Sequence, residues 1–381
     1  MIYLDNAATS WPKPPAVAAA MVRFMDEIGA NPGRSGHRRS VEAGRVIYRT
    51  REALAKHFGL ADPLRIILTP NVTYALNLVL RGLLKSGDHV VTSSMEHNAV
   101  MRPLRALAEH GIQFTTARCA ADGSLDPEEV RRAFRPQTRL VVLNHASNVS
   151  GTILPVAEVG RLVREAGLLF LVDAAQTAGT IPIDMEELGI DLLGFTGHKG
   201  LLGPTGTGGL AISPRVKVEE LAPLVRGGTG SRSEHEVQPA FLPDKFESGT
   251  LNAVGFAGLL AGLAYLEERG VDTIRAHEVD LTRRLLAGLR AIPGVTIYGP
   301  DDAEQQVAVV SFNVAGHTPA DVAQALDENY DIACRPGLHC APSAHRTLGT
   351  FPGGTVRFAM GAFTTVDQVN QAIQAIGALD D

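Results

Sequence analysis

The stretch "RIILTPNVTYALNLVLRGLLKSGDHVVTSS", residues 65–94, contains the unit from which most of the chain is built. A short β-branched run, RIILT, stops at a proline. VTYALNLVLRGLLKSG follows with apolar residues at helical spacing, and HVVTSS returns to an apolar run. The runs are nearly continuous in apolar side chains, as expected of strands covered on both faces. The unit recurs downstream. HNAVMRPLRALAEHG leads to IQFTTAR, DPEEVRRAFR to RLVVLNHA, and VAEVGRLVREAG to LLFLVDAAQT, after which come DLLGFTG and GGLAIS. Alternation of this kind predicts an α/β fold with a mostly parallel sheet and helices on both sides. Residues 226–250 break the pattern with Gly, Ser and Pro and read as a long loop, a length usually functional or disordered. Helical patterns over 253–269 and 271–291 follow. Then come the strand VAVVSFNVAG, a helix over 318–330, the strand TVRFAMG and a last helix, together a smaller α+β domain.

Composition narrows the choice of function. A chain of 381 residues can bury a large core, and its length suggests about two domains. The formal net charge of −6 argues against a broad nucleic-acid-binding surface. The N-terminus MIYLDNAATSWPKP has neither a basic nor an apolar segment of the signal-peptide kind, and no apolar run reaches the roughly 20 residues of a membrane span. Three cysteines, Cys119, Cys334 and Cys340, make no disulfide framework. A cytoplasmic protein with reduced thiols and no membrane partner is expected.

In open parallel sheets, ligands lie beyond the carboxyl ends of the strands. The polar residues closing the strands here are Asn71 and Thr73, His97, Asn148, Asp173 and Gln176, and then Thr196, His198 and Lys199. Taken singly, each reads as a turn residue or helix cap. Together they bring hydroxyls, amides, an imidazole, a carboxylate and one lysine to the same edge.

Lysine is rare in this chain, yet Lys199 ends an apolar run among glycines and threonines in DLLGFTGHKGLLGPTGTGGLAIS, residues 191–213. A desolvated lysine has a lowered pKa and can form a Schiff base. An aspartate ending the apolar run FLVDAA is costly to bury without a cation, and one such cation is a protonated ring nitrogen. The pair is the mark of a pyridoxal 5'-phosphate (PLP) site. Threonine hydroxyls and helix N-termini would hold the phosphate. The small residues around Lys199 would leave room for the cofactor.

With these residues in view, the chain resembles the PLP-dependent cysteine desulfurases of the class V aminotransferase fold, most of all their Suf-type (group II) branch. The resemblance runs through YLDNAATS, NPGRSGHRRS, EHNAV, ASNVSGT, VDAAQTAG, FTGHKGLLGPTGTG, FESGTLN, RPGLHCAP and VRFAMGAF. It implies PLP-dependent transferase fold type I, with a large seven-stranded sheet domain over residues 15–252. A smaller α+β domain is implied from residues 1–14 and 253–381. It further implies that Lys199 carries the cofactor, Asp173 pairs with the ring nitrogen and His97 stacks on the ring. Gln176 and Asn148 would contact the ring hydroxyl region, and Thr73, Thr196 and His198 the phosphate. Thr250 would reach the phosphate of the neighbouring subunit in a homodimer.

Cys340 would take sulfur from L-cysteine as a persulfide and deliver it to an acceptor protein or thiol, in iron–sulfur cluster assembly or thio-cofactor synthesis. Read without the resemblance, a free cysteine is equally a small buried hydrophobe. Arg335 and His339 beside it would favour a thiolate, while Cys119 and Cys334 read as structural. Arg357 would clamp the substrate carboxylate in bidentate fashion, with Arg335 and Asn148 also at the substrate, against a plain reading of Arg357 as a surface salt bridge. Three residues depart from the family pattern: Val72 where a second threonine is frequent, Leu338 where a second histidine is, and Thr364 where asparagine is usual.

Other readings stand beside this one. L-selenocysteine could be the substrate, or the fold could serve another β-eliminating lyase, an aminotransferase or an epimerase. Cys334, His339, Cys340 and His345 could bind a metal, although their spacing fits no common zinc pattern, so no metal is expected. GTGGLA matches a dinucleotide fingerprint, but its glycines precede a strand rather than open a helix.

Overall fold

The computed structural model describes residues 1–33 and 36–379. Arg34 and Ser35, within the NPGRSGHRRS motif, lie outside the described residues. A two-residue strand, β1 (Ile2–Tyr3), begins the chain. The large sheet follows with β2 (Ile66–Thr69), β3 (His89–Ser93), β4 (Gln113–Ala117), β5 (Thr138–Asn144), β6 (Leu169–Asp173), β7 (Leu192–Thr196) and β8 (Gly208–Ile212). Their order across the sheet is β2-β8-β7-β6-β5-β3-β4. The pairs from β4 through β3, β5 and β6 to β7 are parallel, and β8 runs antiparallel to both its neighbours. The reversal has a simple cause. A parallel return needs a crossover of a dozen or more residues, usually helical, and residues 197–207 contain no helix. Lys199 lies in that short connection.

Close backbone packing explains the glycines of GTGGLA. A Cβ on Gly208 would lie 2.7 Å from Asn71 Cα, and one on Gly209 would lie 2.3 Å from the Phe195 ring. Both glycines lie within β8, so the fingerprint is sheet packing and opens no helix.

The smaller unit carries an antiparallel sheet, β12-β13-β10-β9, from β9 (Val295–Tyr298), β10 (Val309–Val314), β12 (Arg335–Gly337) and β13 (Thr355–Ala359). The N-terminal β1 pairs with β11 (Ile332–Ala333). Ile2 and Leu4 thereby join a core shared with Leu285, Val310, Phe312, Phe358 and Ala372. The helix Ala253–Arg269 buries Phe256, Leu259, Leu263 and Leu266 in the core of the large sheet instead. It is apolar almost all round, as a helix enclosed by a large core must be. The next helix, Val271–Arg290, places Val279, Leu281, Leu285 and Leu289 in the smaller core. The helix before Gly270 thus packs mainly on the larger core and the helix after it mainly on the smaller one.

The loop over residues 226–250 ends in a buried plug. Glu247, 9 % exposed, accepts from Leu68 N at 2.6 Å and from Arg51 Nη1 at 2.8 Å, which also donates to the Ile66 carbonyl. Arg51 is likewise buried. Breaking a buried pair strands a charge, so Arg51→Met is expected to cost about 3–5 kcal/mol, read as a lower urea midpoint. A midpoint within experimental scatter of the wild type would refute the role given to this pair.

Candidate active site

The carboxyl ends of β5, β6 and β7 bring Asn144, Asp173 and Thr196 to one edge. Beyond that edge lies a cleft lined by Val72, His97, Asn148, Asp173, Gln176 and Lys199. Five of the twelve residues singled out from the sequence, His97, Asn148, Asp173, Gln176 and Lys199, line it. Lys199 and Asp173 face one another closely enough to interact. Burial lowers the Lys199 pKa to about 8, against the opposing pull of Asp173. Burial likewise raises the Asp173 pKa, offset by the Ala175 amide at 2.9 Å and by Lys199.

The glycines around Lys199 allow close packing of the connection. A Cβ on Gly197 would lie 2.1 Å from Thr207 Oγ1, and one on Gly200 would lie 2.5 Å from the Ala178 carbonyl. The connection is thus pressed onto the loop that follows Asp173.

His97 caps the helix Asn98–Ala108, its Nδ1 accepting from the Ala99 amide at 3.0 Å. That bond leaves the ring proton on Nε2. Burial, and then Lys199, Arg335, Arg102 and Arg357, hold its pKa down at about 4, so the ring is neutral. Behind it, Glu96 is completely buried and accepts from Ser93 Oγ and from the Asn144 amide, which joins the end of β3 to the end of β5. Neither Glu96 nor Asn144 was foreseen, although Glu96 stands inside the EHNAV motif.

Several buried polar atoms at this edge have no hydrogen-bond partner: Thr196 Oγ1, His198 Nδ1, Asn148 Oδ1, Asn144 Oδ1 and Arg357 Nε. Buried polar atoms are rarely left unsatisfied, so this set fits a polar ligand that completes it. Burial, Lys199 and Lys13 lower the His198 pKa to about 4. Thr73 is exposed in the first turn of the helix Val72–Leu83, whose cap is Asn71. Val72 turns toward the cleft and packs beneath Gly194. Thr250 is not in the cleft. It lies exposed in a separate groove with Tyr74, Gly206 and Asn252.

Arg357 is 1 % exposed, which rules out a surface salt bridge. Its Nη2 donates to Asp5 Oδ1 at 2.7 Å and its Nη1 to the Asn148 carbonyl at 2.9 Å. Arg335 lies beside it on the adjacent strand. Cys340 is exposed, with Arg335 Nη2 at 3.9 Å from its sulfur, while Cys119 is buried. Burial, with Asp5 and Asp327, pushes the Cys334 thiol up to about 12. His339 does not assist the thiol as expected. It is 3 % exposed, bonds to Thr355 Oγ1 at 3.1 Å, and burial drives its pKa down to about 2, so it brings no charge to the sulfur. Among the described residues, no group of three His, Cys, Asp or Glu side chains is placed to hold a metal ion, and no helix is long and apolar enough to cross a membrane.

The class-V aminotransferase family model matches residues 2–372. The chain belongs to the class-V aminotransferase family. A relative from Methanothermobacter thermautotrophicus, named as a probable cysteine desulfurase, is 37% identical over 97% of this chain and 92% of its own. The apo structure of a cysteine desulfurase from Thermococcus onnurineus NA1 superposes with a TM-score of 0.93 at 34% identity, covering 99% of this chain and 94% of that one. A C-DES mutant with glycine covalently linked to its PLP cofactor gives a TM-score of 0.86 at 26% identity, over 99% of this chain and 96% of that one. Class-V membership accounts for fold type I, with its large and mostly parallel sheet.

Proposed function

We propose that this protein is a PLP-dependent cysteine desulfurase that converts L-cysteine to L-alanine and carries the sulfur as a persulfide on Cys340. One observation carries the reading. The exposed cysteine is tied by hydrogen bonds to the same two segments that line the lysine–aspartate cleft: Asn98 N donates to the Cys340 carbonyl at 2.8 Å, and Asn148 Nδ2 to the His339 carbonyl at 2.7 Å.

Lys199 supplies the amine that anchors the cofactor, and Asp173 the carboxylate for its ring nitrogen. His97 would stack on the ring, Gln176 and Asn148 would contact the ring hydroxyl region, and Thr196, His198 and Thr73 would hold the phosphate. When bound, the cofactor supplies an electron sink for a carbanion at the substrate Cα. Arg357, with Arg335 nearby, binds the substrate carboxylate. Its Nε has no partner, and its Asp5 contact fixes the direction of the fork. Lys199 Nζ then takes the Cα proton, a transfer favoured by a pKa close to working pH. Cys340 Sγ attacks the substrate sulfur. An S–S bond forms, the Cβ–S bond breaks with its electron pair remaining on the carbon fragment, and reprotonation gives alanine. An acceptor thiolate then attacks the outer sulfur of the persulfide and takes it as its own persulfide, Cys340 leaving as the thiolate, and a second thiol of the reductant releases that sulfur as sulfide as a disulfide forms. The exposure of Thr250 supports a homodimer in which that hydroxyl reaches the partner's phosphate site.

Supplying the PLP-loaded protein with L-cysteine and a reductant tests the reading: alanine and sulfide should appear in equal amounts. L-selenocysteine and cysteine sulfinate should be tried in parallel. Alanine from selenocysteine alone would make the protein a selenocysteine lyase.

A second measurement concerns pH. Only the neutral amine of Lys199 attacks an aldehyde, and its fraction rises with pH until the amine is fully deprotonated. Uptake of PLP by the apo-protein should therefore accelerate about tenfold per pH unit below about 8 and level off above it. A rate independent of pH between about 6 and 8 would contradict the lowered pKa at Lys199.

A further inference from the structure

The turn that presents Cys340 is held in an unfavourable backbone conformation. Ala341 N donates to the Leu338 carbonyl at 2.9 Å, closing a turn with His339 at φ 48° and Cys340 at φ 59°. Two successive left-handed residues define the type I′ form, in which Asn-Gly or Gly-Gly is favoured. Histidine and cysteine persist there only because their surroundings impose it. Two of the constraints are the bonds already described, from Asn98 and Asn148 to the two carbonyls. The third is the His339 side chain.

Counting protons along that side chain fixes its tautomer. Ser311 Oγ donates its single proton to the Val149 carbonyl at 2.7 Å, and Thr355 Oγ1 donates its own to Ser311 Oγ at 3.0 Å. Thr355 Oγ1 has no proton left, so at 3.1 Å it accepts from His339 Nε2, and His339 Nδ1 is the unprotonated nitrogen. Thr355 and Ser311 are completely buried. The chain runs from Val149, next to Asn148 in the cleft, through two strands of the smaller sheet to the residue before the cysteine.

We propose that Thr355 is a positioning residue for Cys340: through His339 it locks the left-handed turn that aims the thiol at the cleft. The proposal rests on Cys340 being the sulfur-accepting group. Sulfur transfer demands near-contact of the reacting atoms, and a misplacement of about 1 Å can lower the rate roughly 100-fold.

Thr355→Val keeps the side-chain shape and removes the acceptor. In the PLP-loaded enzyme it should lower kcat for L-cysteine about 10- to 100-fold and leave KM and the visible cofactor band within about twofold of wild type. Thr355→Ser, which keeps the hydroxyl, should recover activity to within about threefold. Wild-type kcat in Thr355→Val would overturn the proposal. So would a Thr355→Ser enzyme as slow as the valine variant, since methyl packing would then be the cause. If Thr355→Val does not fold, Ser311→Ala interrupts the same chain one link further back and should lower kcat several-fold, and an unchanged kcat there is equally fatal. Sulfide release by Cys340→Ala would instead refute the underlying assignment, so the two failures can be told apart.

Discussion

Replacing Cys340 with alanine is expected to lower sulfide release from L-cysteine by at least about 10³-fold while the protein keeps its cofactor band. The size of the effect follows from the lack of a substitute. Cys119 is buried in the large core, and burial raises its pKa. Cys334 lies four residues beyond the end of the helix Pro319–Tyr330, with its thiol pushed up to about 12. Neither can offer a thiolate to a substrate in the cleft. Loss of the thiol leaves Lys199, Asp173 and Arg357 in place, so substrate should still bind and exchange its α-proton. Two measurements on one sample check this: sulfide after addition of L-cysteine, and deuterium incorporation at Cα in heavy water. Retained sulfide release would remove Cys340 from the mechanism. Loss of both would mean that the cysteine supports the cleft rather than reacting.

The sequence shows the elements well and their long-range partners poorly. The runs ending in Asp173 and Thr196 are legible because continuous apolar strands have few other uses, and their terminal polar residues must then face the sheet edge. Arg357 could be read as a clamp only by resemblance. Its orienting partner, Asp5, is 352 residues away in the chain, and no local pattern links them. His339 was read as an aid to the thiolate because adjacency in sequence suggests contact. In the structure its ring turns inward to Thr355, and the left-handed backbone separates the directions of two neighbouring side chains. His97 was legible as a cap only in the general way that every polar residue closing a strand is, since histidine is not among the favoured N-cap residues. The near-uniform apolarity of the helix Ala253–Arg269 is legible in the sequence and suits its enclosure in the larger core.

Lys199→Ala should lower turnover by at least about 10³-fold and remove covalent capture of the cofactor, because one amine serves as both anchor and base. The chain contains a rival. Burial lowers the pKa of Lys13 to about 8 as well, so pKa alone cannot choose between the two. Hydrogen bonding can. Lys13 Nζ donates to the Ser10 carbonyl at 3.0 Å, to Ser10 Oγ at 2.9 Å and to the His198 carbonyl at 3.2 Å, which commits its donors and fixes the loop that precedes Lys199. Lys199 Nζ has no hydrogen bond among the described residues and lies at the wall of the cleft with Asp173. Lys13 therefore acts as a half-buried clamp, which leaves Lys199 as the nucleophile we propose. Borohydride reduction of the PLP-loaded protein, followed by peptide mass mapping, separates them. A reduced pyridoxyl group should appear on the peptide containing Lys199 and be absent from Lys199→Ala, and its appearance on Lys13 would overturn the assignment on which the proposed chemistry is built.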